Sequence, residues 1–256
     1  MGIQKLKAVR GWVWVKQGYQ LIMRNPLLAI ALALICTMAM FAMFLVPLLG
    51  PFVALTLMPV VIAGYMRVCR ALEEGEEVEL AHLVAGFQKN LPRLIALGCL
   101  LVLGLLVTAT VIIAIGGEAL RTLFEGLNAT TDPKVQMDLM LAAGPEVNLG
   151  ILVGMSLLVI LGLAFQYAPM LVFFSDMAPV SSLRASMIGI LRNIIPYTVY
   201  AVIMLAISAL LDILPFHTGM IISLPLSFTS LYASYRNIFP FADEIAGETA
   251  IPGARA

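Results

Sequence analysis

The sequence predicts an all-α polytopic membrane helix bundle: six transmembrane helices arranged as three pseudo-repeats, each an amphipathic helix followed by a helical hairpin. Three observations lead there. Of 256 residues, 61% are hydrophobic and 12% charged, whereas a soluble domain carries about 25% charged residues. Uncharged runs cover 25–66, 94–117, 147–175, 193–211 and 213–235, and all thirty charged residues lie outside them. A basic residue, an asparagine and a proline recur in order ahead of three of the apolar stretches. About 20 apolar residues cross the roughly 30 Å hydrocarbon core as a helix. Soluble enzymes and nucleic-acid readers are excluded on this composition, and a net charge of zero gives no electrostatic reason to expect a nucleic-acid partner.

The first run, 42 residues long, suits two crossings divided by Pro47, Gly50 and Pro51. The six expected spans are 27–49, 51–66, 92–116, 149–174, 194–212 and 217–235. The second is short, and Arg67 is expected to snorkel to the interface at its end. A cleaved signal peptide does not explain the first span, because the apolar stretch far exceeds an h-region and no A-x-A site with a soluble domain follows. Thirteen Lys and Arg residues fall on one side of these spans, and only Arg121 and Lys134 on the other. The positive-inside rule then predicts a bacterial cytoplasmic (inner) membrane protein with both termini in the cytoplasm.

The three repeated turns are Arg24-Asn25-Pro26, Lys89-Asn90-Leu91-Pro92 and Arg192-Asn193-Ile194-Ile195-Pro196. Asn ends one helix or caps the next, and Pro is tolerated in a first turn because its missing N–H would be unpaired there. Each turn follows a segment of helical apolar spacing, at Trp12–Met23, Val78–Phe87 and Val180–Leu191. Each returning span carries a proline: Pro59, Pro169 and Pro225. The repeats are therefore placed at about 12–66, 78–174 and 180–235, within one transmembrane domain over 1–240 and ahead of a flexible cytoplasmic tail at 241–256. Asn25, Pro26, Asn90, Pro92, Asn193 and Pro196 are expected to hold the turns. Arg24, Lys89 and Arg192 become candidate lipid-headgroup contacts, with topology anchoring as the plainer role.

The first amphipathic segment places Trp12, Trp14 and Tyr19 among basic residues, as an interfacial helix does. The second starts with Glu73, Glu74, Glu76, Glu77 and Glu79, expected to face the cytoplasm as a solvated run or a dock for a basic partner. On the opposite side, 117–148 is expected to fold back on the membrane. There Asp132-Pro133 starts a helix that Gly144-Pro145 stops.

Chemistry is sparse. No Asp, Glu, Lys or Arg lies within a span core, which weakens ion-coupled transport. Gln166 is the most polar deep residue, and a helix–helix hydrogen bond accounts for it. His82 and His217 fall on opposite sides and read as structural, and the unpaired Cys36, Cys69 and Cys99 read as small buried hydrophobes. No catalytic, cofactor or metal site is expected. The nearest approach to an active site is Gly154-Met155-Ser156 with His217, a faint outline of a rhomboid-type intramembrane serine protease. Leu157 and the His217-Thr218-Gly219 spacing depart from that family.

A string of short motifs occurs in order: Gly11-Trp12, Gln17-Gly18-Tyr19, Arg24-Asn25-Pro26, Ala63-Gly64-Tyr65-Met66, Ala85-Gly86-Phe87, Ala168-Pro169-Met170-Leu171-Val172, Arg192-Asn193 and Ser230-Leu231-Tyr232-Ala233-Ser234-Tyr235-Arg236. Over roughly 10–240 the chain resembles an uncharacterised family of proteobacterial six-span inner-membrane proteins. The resemblance implies an inner-membrane location and a small all-helical protein, and brings no activity. The functional expectation is a non-enzymatic protein that associates with a membrane-protein complex, with lipid or with further copies of itself. Ser223, Ser227, Ser230 and Ser234 form a candidate packing face at spacings of 4, 3 and 4. That stripe could equally pack on the protein's own spans. The alternative function is a channel or facilitator for a small amphipathic solute, using carbonyls freed by the prolines.

Overall fold

The structure is a computed structural model and describes residues 3–213 and 219–241. Every regular element in those residues is helical. In chain order they are α1 (Arg10–Arg24), α2 (Pro26–Phe44), α3 (Gly50–Glu74), a 3-10 turn (Leu80–His82), α4 (Ala85–Gln88), α5 (Leu91–Asn128), α6 (Pro133–Leu141), α7 (Pro145–Phe165), α8 (Ala168–Ser175), α9 (Pro179–Arg192), α10 (Ile194–Leu211) and α11 (Met220–Ile238). Five stretches are long and apolar enough to cross a membrane: α2, α3, α5, α7 with α8, and α10. The sixth expected span falls on α11, which has 19 described residues and more polar groups. His217 and the tail from 242 onward lie outside the described residues.

The hairpin α2–α3 turns at 45–49, where Leu48 takes a positive φ of 64°, and the buried Tyr65 hydroxyl donates to Ala29 O across it at 3.1 Å. Helix α3 does not end near Met66. It runs on for two further turns, carrying Arg67, Arg70 and Glu73 out of the apolar zone, and stops where Gly75 adopts φ 71°. The amphipathic helix expected at 78–87 is absent. That stretch is instead the 3-10 turn plus the single turn α4, lying flat on α3. Close backbone contact explains the difference. A Cβ at Gly86 would collide with Val60 O, and one at Gly64 with Leu83 O. The apolar residues of 78–87 therefore pack a connector rather than form a longer helix.

Two other expectations meet the structure more directly. Helix α9 fills Pro179–Arg192, where the third amphipathic segment was placed. Helix α6 starts at Pro133 with the Asp132 side chain accepting from Lys134 N at 2.9 Å. The apolar run of α5 breaks at Gly117 (φ 49°), at the outer limit expected for span three, and continues as helix to Asn128.

The core forms where α1 and α11 cross, with α10, α2, α3 and α8 around them. Trp14, Tyr65, Tyr167, Tyr232, Tyr235 and Phe239 are all buried there. Helix α1 is thus one wall of the bundle rather than a helix resting on it: Gly11, Trp14, Val15, Gly18, Leu21 and Ile22 face in, while Trp12 and Tyr19 remain exposed. Gly18 makes this possible, since a Cβ there would sit 2.6–2.8 Å from Ser230 N, Cα and Cβ. Small residues let membrane helices approach closely in this way. A smaller cluster of Val60, Ala63, Leu94, Leu97, Ala168, Val172 and Phe173 joins α3, α5 and α8. The α5–α7 pair turns most of its apolar surface outward, as lipid-facing helices do.

Helix α7 ends at Phe165, and α8 starts at Ala168 with Pro169 in its first turn. The Ser186 hydroxyl from α9 fills the break, accepting from Tyr167 N at 3.0 Å and donating to Leu163 O at 2.8 Å. A broken helix at membrane depth persists where a neighbouring hydroxyl satisfies its freed backbone groups. Gln166 stands at this break. Cys36 and Cys69 are buried, but Cys99 is exposed on the outer face of α5, contrary to the expectation of burial.

Candidate functional site at the basic end of the bundle

One end of the molecule collects most of its described charge. The last turns of α3, the connector to α5, the turn after α8 and the ends of α1 and α11 meet there. Residues near both chain ends are tied to the same region: Gln4 N donates to Ile238 O at 3.1 Å, and Asn193 Oδ1 accepts from Leu6 N at 2.8 Å.

At its centre is Glu73. Its carboxylate accepts from the Tyr232 hydroxyl at 2.6 Å and from Arg236 Nε at 2.9 Å. Arg24 reaches the same helix end, donating to Leu72 O and, at 2.6 Å, to Glu73 O. Those carbonyls carry the negative end of the α3 dipole, so a guanidinium is the complementary cap. Asn237 donates to Gln17 Oε1 at 3.0 Å and accepts from Arg10 at 3.2 Å, joining α11 to α1. A cleft of about 220 Å³ opens among Gln17, Gln20, Arg24, Glu73, Tyr232 and Arg236.

Most of the acidic cluster has partners within the chain. Glu74 pairs with Arg70 at 2.8 Å and Glu76 with Arg67 at 2.7 Å, while Glu79 and His82 cap each other's backbone around the 3-10 turn. Glu74, Glu76, Glu77 and Glu79 remain exposed, as a solvated run would be. The Arg67 hydrogen bond holds the Glu76 carboxyl below the usual carboxylate range. Asp176 is lowered as well, first by the hydrogen bond from Asn90, at 2.6 Å, with Lys89 at 3.5 Å and Arg93 adding to it. Arg70 and Arg236 each lie 4.4 Å from the centroid of the Phe241 ring, a cation–π arrangement.

The repeated turns share a sequence pattern but not a geometry. Asn25 caps α2, its side chain accepting from Leu28 N at 3.3 Å. Asn90 is left-handed at φ 58° and donates to Val172 O and Asp176. Asn193 is buried and holds the N-terminal strap, donating to Gln4 O at 2.8 Å. Pro26, Pro92 and Pro196 all stand within the first turns of α2, α5 and α10. Among the three basic residues, Arg24 caps α3, Lys89 lies beside Asp176 and 5.6 Å from the Phe173 ring centroid, and Arg192 is exposed. No hydrogen bond or ion pair among the described residues joins one of them to another.

The serine stripe divides. Ser230 and Ser234 are fully buried. Ser230 shares a hydrogen bond with the Tyr200 hydroxyl at 3.2 Å, and Ser234 with the Tyr167 hydroxyl at 2.9 Å. Ser223 and Ser227 are half-buried, and Ser227 donates to Ser223 O at 2.7 Å. The stripe's inner half thus packs this protein's own helices. Ser156 is exposed and donates to Leu152 O at 2.8 Å, while the buried Gly154 packs on Ile112.

Residues to which a sequence reading gives no site role carry much of this end: Tyr232, Arg236, Arg70 and Asp176. Tyr232 and Arg236 stood within the last motif of the resemblance, and that is the signal that could have flagged them.

No family model matches the chain, and no solved structure matches it. A search of curated proteins gives a probable inner membrane protein of Burkholderia thailandensis, 29% identical over 260 residues that cover 93% of this chain and 94% of the relative. Near-complete coverage of both chains, five apolar helices of spanning length and an all-helical bundle agree: this is a multi-pass inner-membrane protein, similar over most of its length to a probable inner membrane protein.

Proposed function

We propose that the protein works without catalysis, by associating with membrane lipid or with a membrane-protein complex, and that both termini face the cytoplasm. The observation that carries this reading is the concentration of Arg24, Arg67, Arg70, Lys89, Arg93 and Arg236 at one end of an otherwise apolar bundle. There all of them but Arg93 line clefts beside the membrane-spanning segments. Basic pockets at that level suit anionic headgroups. The solute-facilitator alternative loses support from the packed aromatic core and from Ser186, which occupies the α7–α8 break beside Pro169 where freed backbone groups could have lined a path.

The test is recovery of the native protein in lipid nanodiscs extracted without detergent, with mass spectrometry of everything retained. A defined anionic phospholipid or a stoichiometric protein partner is the expected result; a bare monomer with neither overturns the reading. Topology is tested separately by thiol labelling in a background lacking the native cysteines. Glu76→Cys should react only from the cytoplasm, and Asp132→Cys only from outside.

A further inference from the structure

A second cleft at the basic end, about 490 Å³, lies between Arg67, Arg70, Glu74, Glu76, Lys89 and the paired rings Phe173 and Phe174. It lies outside the Arg24–Glu73–Arg236 network and shares only Lys89 with the expected trio of Arg24, Lys89 and Arg192. Its cations flank two successive apolar runs on the same side. Arg67 is the first charged residue after the uncharged run 25–66, and Lys89 precedes the run that starts at 94. Both therefore stand at headgroup depth.

Charge and donor capacity define what fits. Three cations and two carboxylates line the cleft, leaving one positive charge. Lys89 also meets Asp176, but Arg93 donates to that same residue through its backbone oxygen, so the sum is unchanged by including both. Arg67 uses Nη2 on Glu76, while its enclosed Nη1 has no hydrogen-bond partner among the described residues. A buried guanidinium nitrogen without an acceptor is costly. The walls are aromatic: Lys89 Nζ lies 5.6 Å from the Phe173 centroid and the Arg70 guanidinium 5.8 Å from that of Phe174. A singly charged oxyanion attached to an apolar body matches all of this.

We propose that this cleft binds the phosphodiester of an anionic phospholipid, with Arg67 and Lys89 as the principal phosphate contacts and Phe173 and Phe174 flanking the glycerol backbone. The inference rests on the association reading above and names its lipid site. A phosphodiester carries one negative charge, equal to the excess in the cleft, whereas a phosphate monoester carries about 1.5 to 2 at neutral pH.

The experiment compares retention of phosphatidylglycerol and phosphatidylcholine by native mass spectrometry on the full chain. Variants are Arg67→Gln with Lys89→Gln, and Lys7→Gln with Lys16→Gln as the contrasting pair, both exposed and outside the cleft. Near the surface a basic residue contributes about 1 kcal/mol to anionic-lipid binding, or about fivefold. The first pair should therefore lower phosphatidylglycerol retention roughly 25-fold and leave phosphatidylcholine unchanged, and the second should have little effect. Should the double variant fail to fold, Lys89→Gln alone is expected to give the fivefold loss, with Arg67→Lys milder because it keeps the charge. Unchanged retention in the first pair overturns the site while leaving the association reading intact. A wild type that retains no lipid and no partner overturns both. If inorganic phosphate raises the thermal midpoint in an Arg67-dependent way while phosphatidylglycerol is not retained, the ligand is a soluble phosphate and the lipid assignment fails.

Discussion

The Tyr232 hydroxyl donates to the Glu73 carboxylate at 2.6 Å, tying the end of α3 to α11 across 159 residues of sequence. Arg236, one turn on, completes the pair from the same helix, and its side chain is largely enclosed. Glu73 thereby accepts from two donors whose positions fix how α11 enters the bundle.

Neutralising that carboxylate should cost more than removing the Tyr232 bond. Glu73→Gln strips the countercharge from Arg236 and is expected to destabilise by about 1.5–3 kcal/mol, against roughly 1 kcal/mol for Tyr232→Phe. Because the bonds share one acceptor, the double variant should cost less than the two single costs together. Thermal midpoints in detergent measure this. Strict additivity would refute a shared network.

Gly18 is where α1 and α11 come nearest, against backbone and Cβ atoms of Ser230 that cannot swing aside. Gly18→Ala should therefore force the helices apart and destabilise by about 1–3 kcal/mol. Gly162→Ala is the control, since a Cβ there meets nothing within 4 Å and the residue is exposed. It should be neutral or stabilising by up to about 1 kcal/mol through helix propensity. Equal effects at the two sites would remove close packing as the reason for Gly18.

Ser186→Ala leaves both the Tyr167 N–H and the Leu163 carbonyl at the α7–α8 break without their partner. A loss of about 1–3 kcal/mol is expected for the unsatisfied donor. Ser186→Thr keeps the hydroxyl and should lose less by thermal midpoint. A neutral Ser186→Ala would mean that another group fills the break.

The Asn90–Asp176–Lys89 group predicts an acid limb. The folded-state pKa of Asp176 is depressed, so its stabilising effect is complete above the unfolded-state value of about 3.9 and is lost as pH falls through the lower folded value. Asp176→Asn keeps a residue that tolerates the φ of 52° found there. The stability gap between wild type and variant, followed from about pH 6 downward, should be constant at first and close below about pH 4. A gap that widens in acid would contradict the sign.

How much of this could be read in advance depends on the range of the interaction. Hydropathy is local, so the uncharged runs located five helices of spanning length and the hairpin turn near Pro47–Gly50. Asp132-Pro133 marked its helix start because a cap involves adjacent residues. The turns at Asn25, Asn90 and Asn193 look alike in sequence for the same reason. Their work differs because their partners, Leu28, Val172 with Asp176, and Gln4 with Leu6, lie at very different distances along the chain.

By itself the sequence determined the solvent of this protein: an apolar chain with its charge confined to the ends of spans folds in a bilayer as helices, since backbone groups there must be satisfied within each segment. It determined too where most helices start, through Asn, Asp and Pro. The tertiary structure alone decided the extension of α3 past Arg67, the collapse of 78–87 into a connector, the burial of α1, and the pairing of Glu73 with Tyr232 and Arg236. Each depends on a contact between distant segments, at Gly64 with Leu83, Gly18 with Ser230, or Glu73 with Tyr232. Such contacts are made by side chains and backbone meeting in space, and helical periodicity carries no record of which helix will be the neighbour.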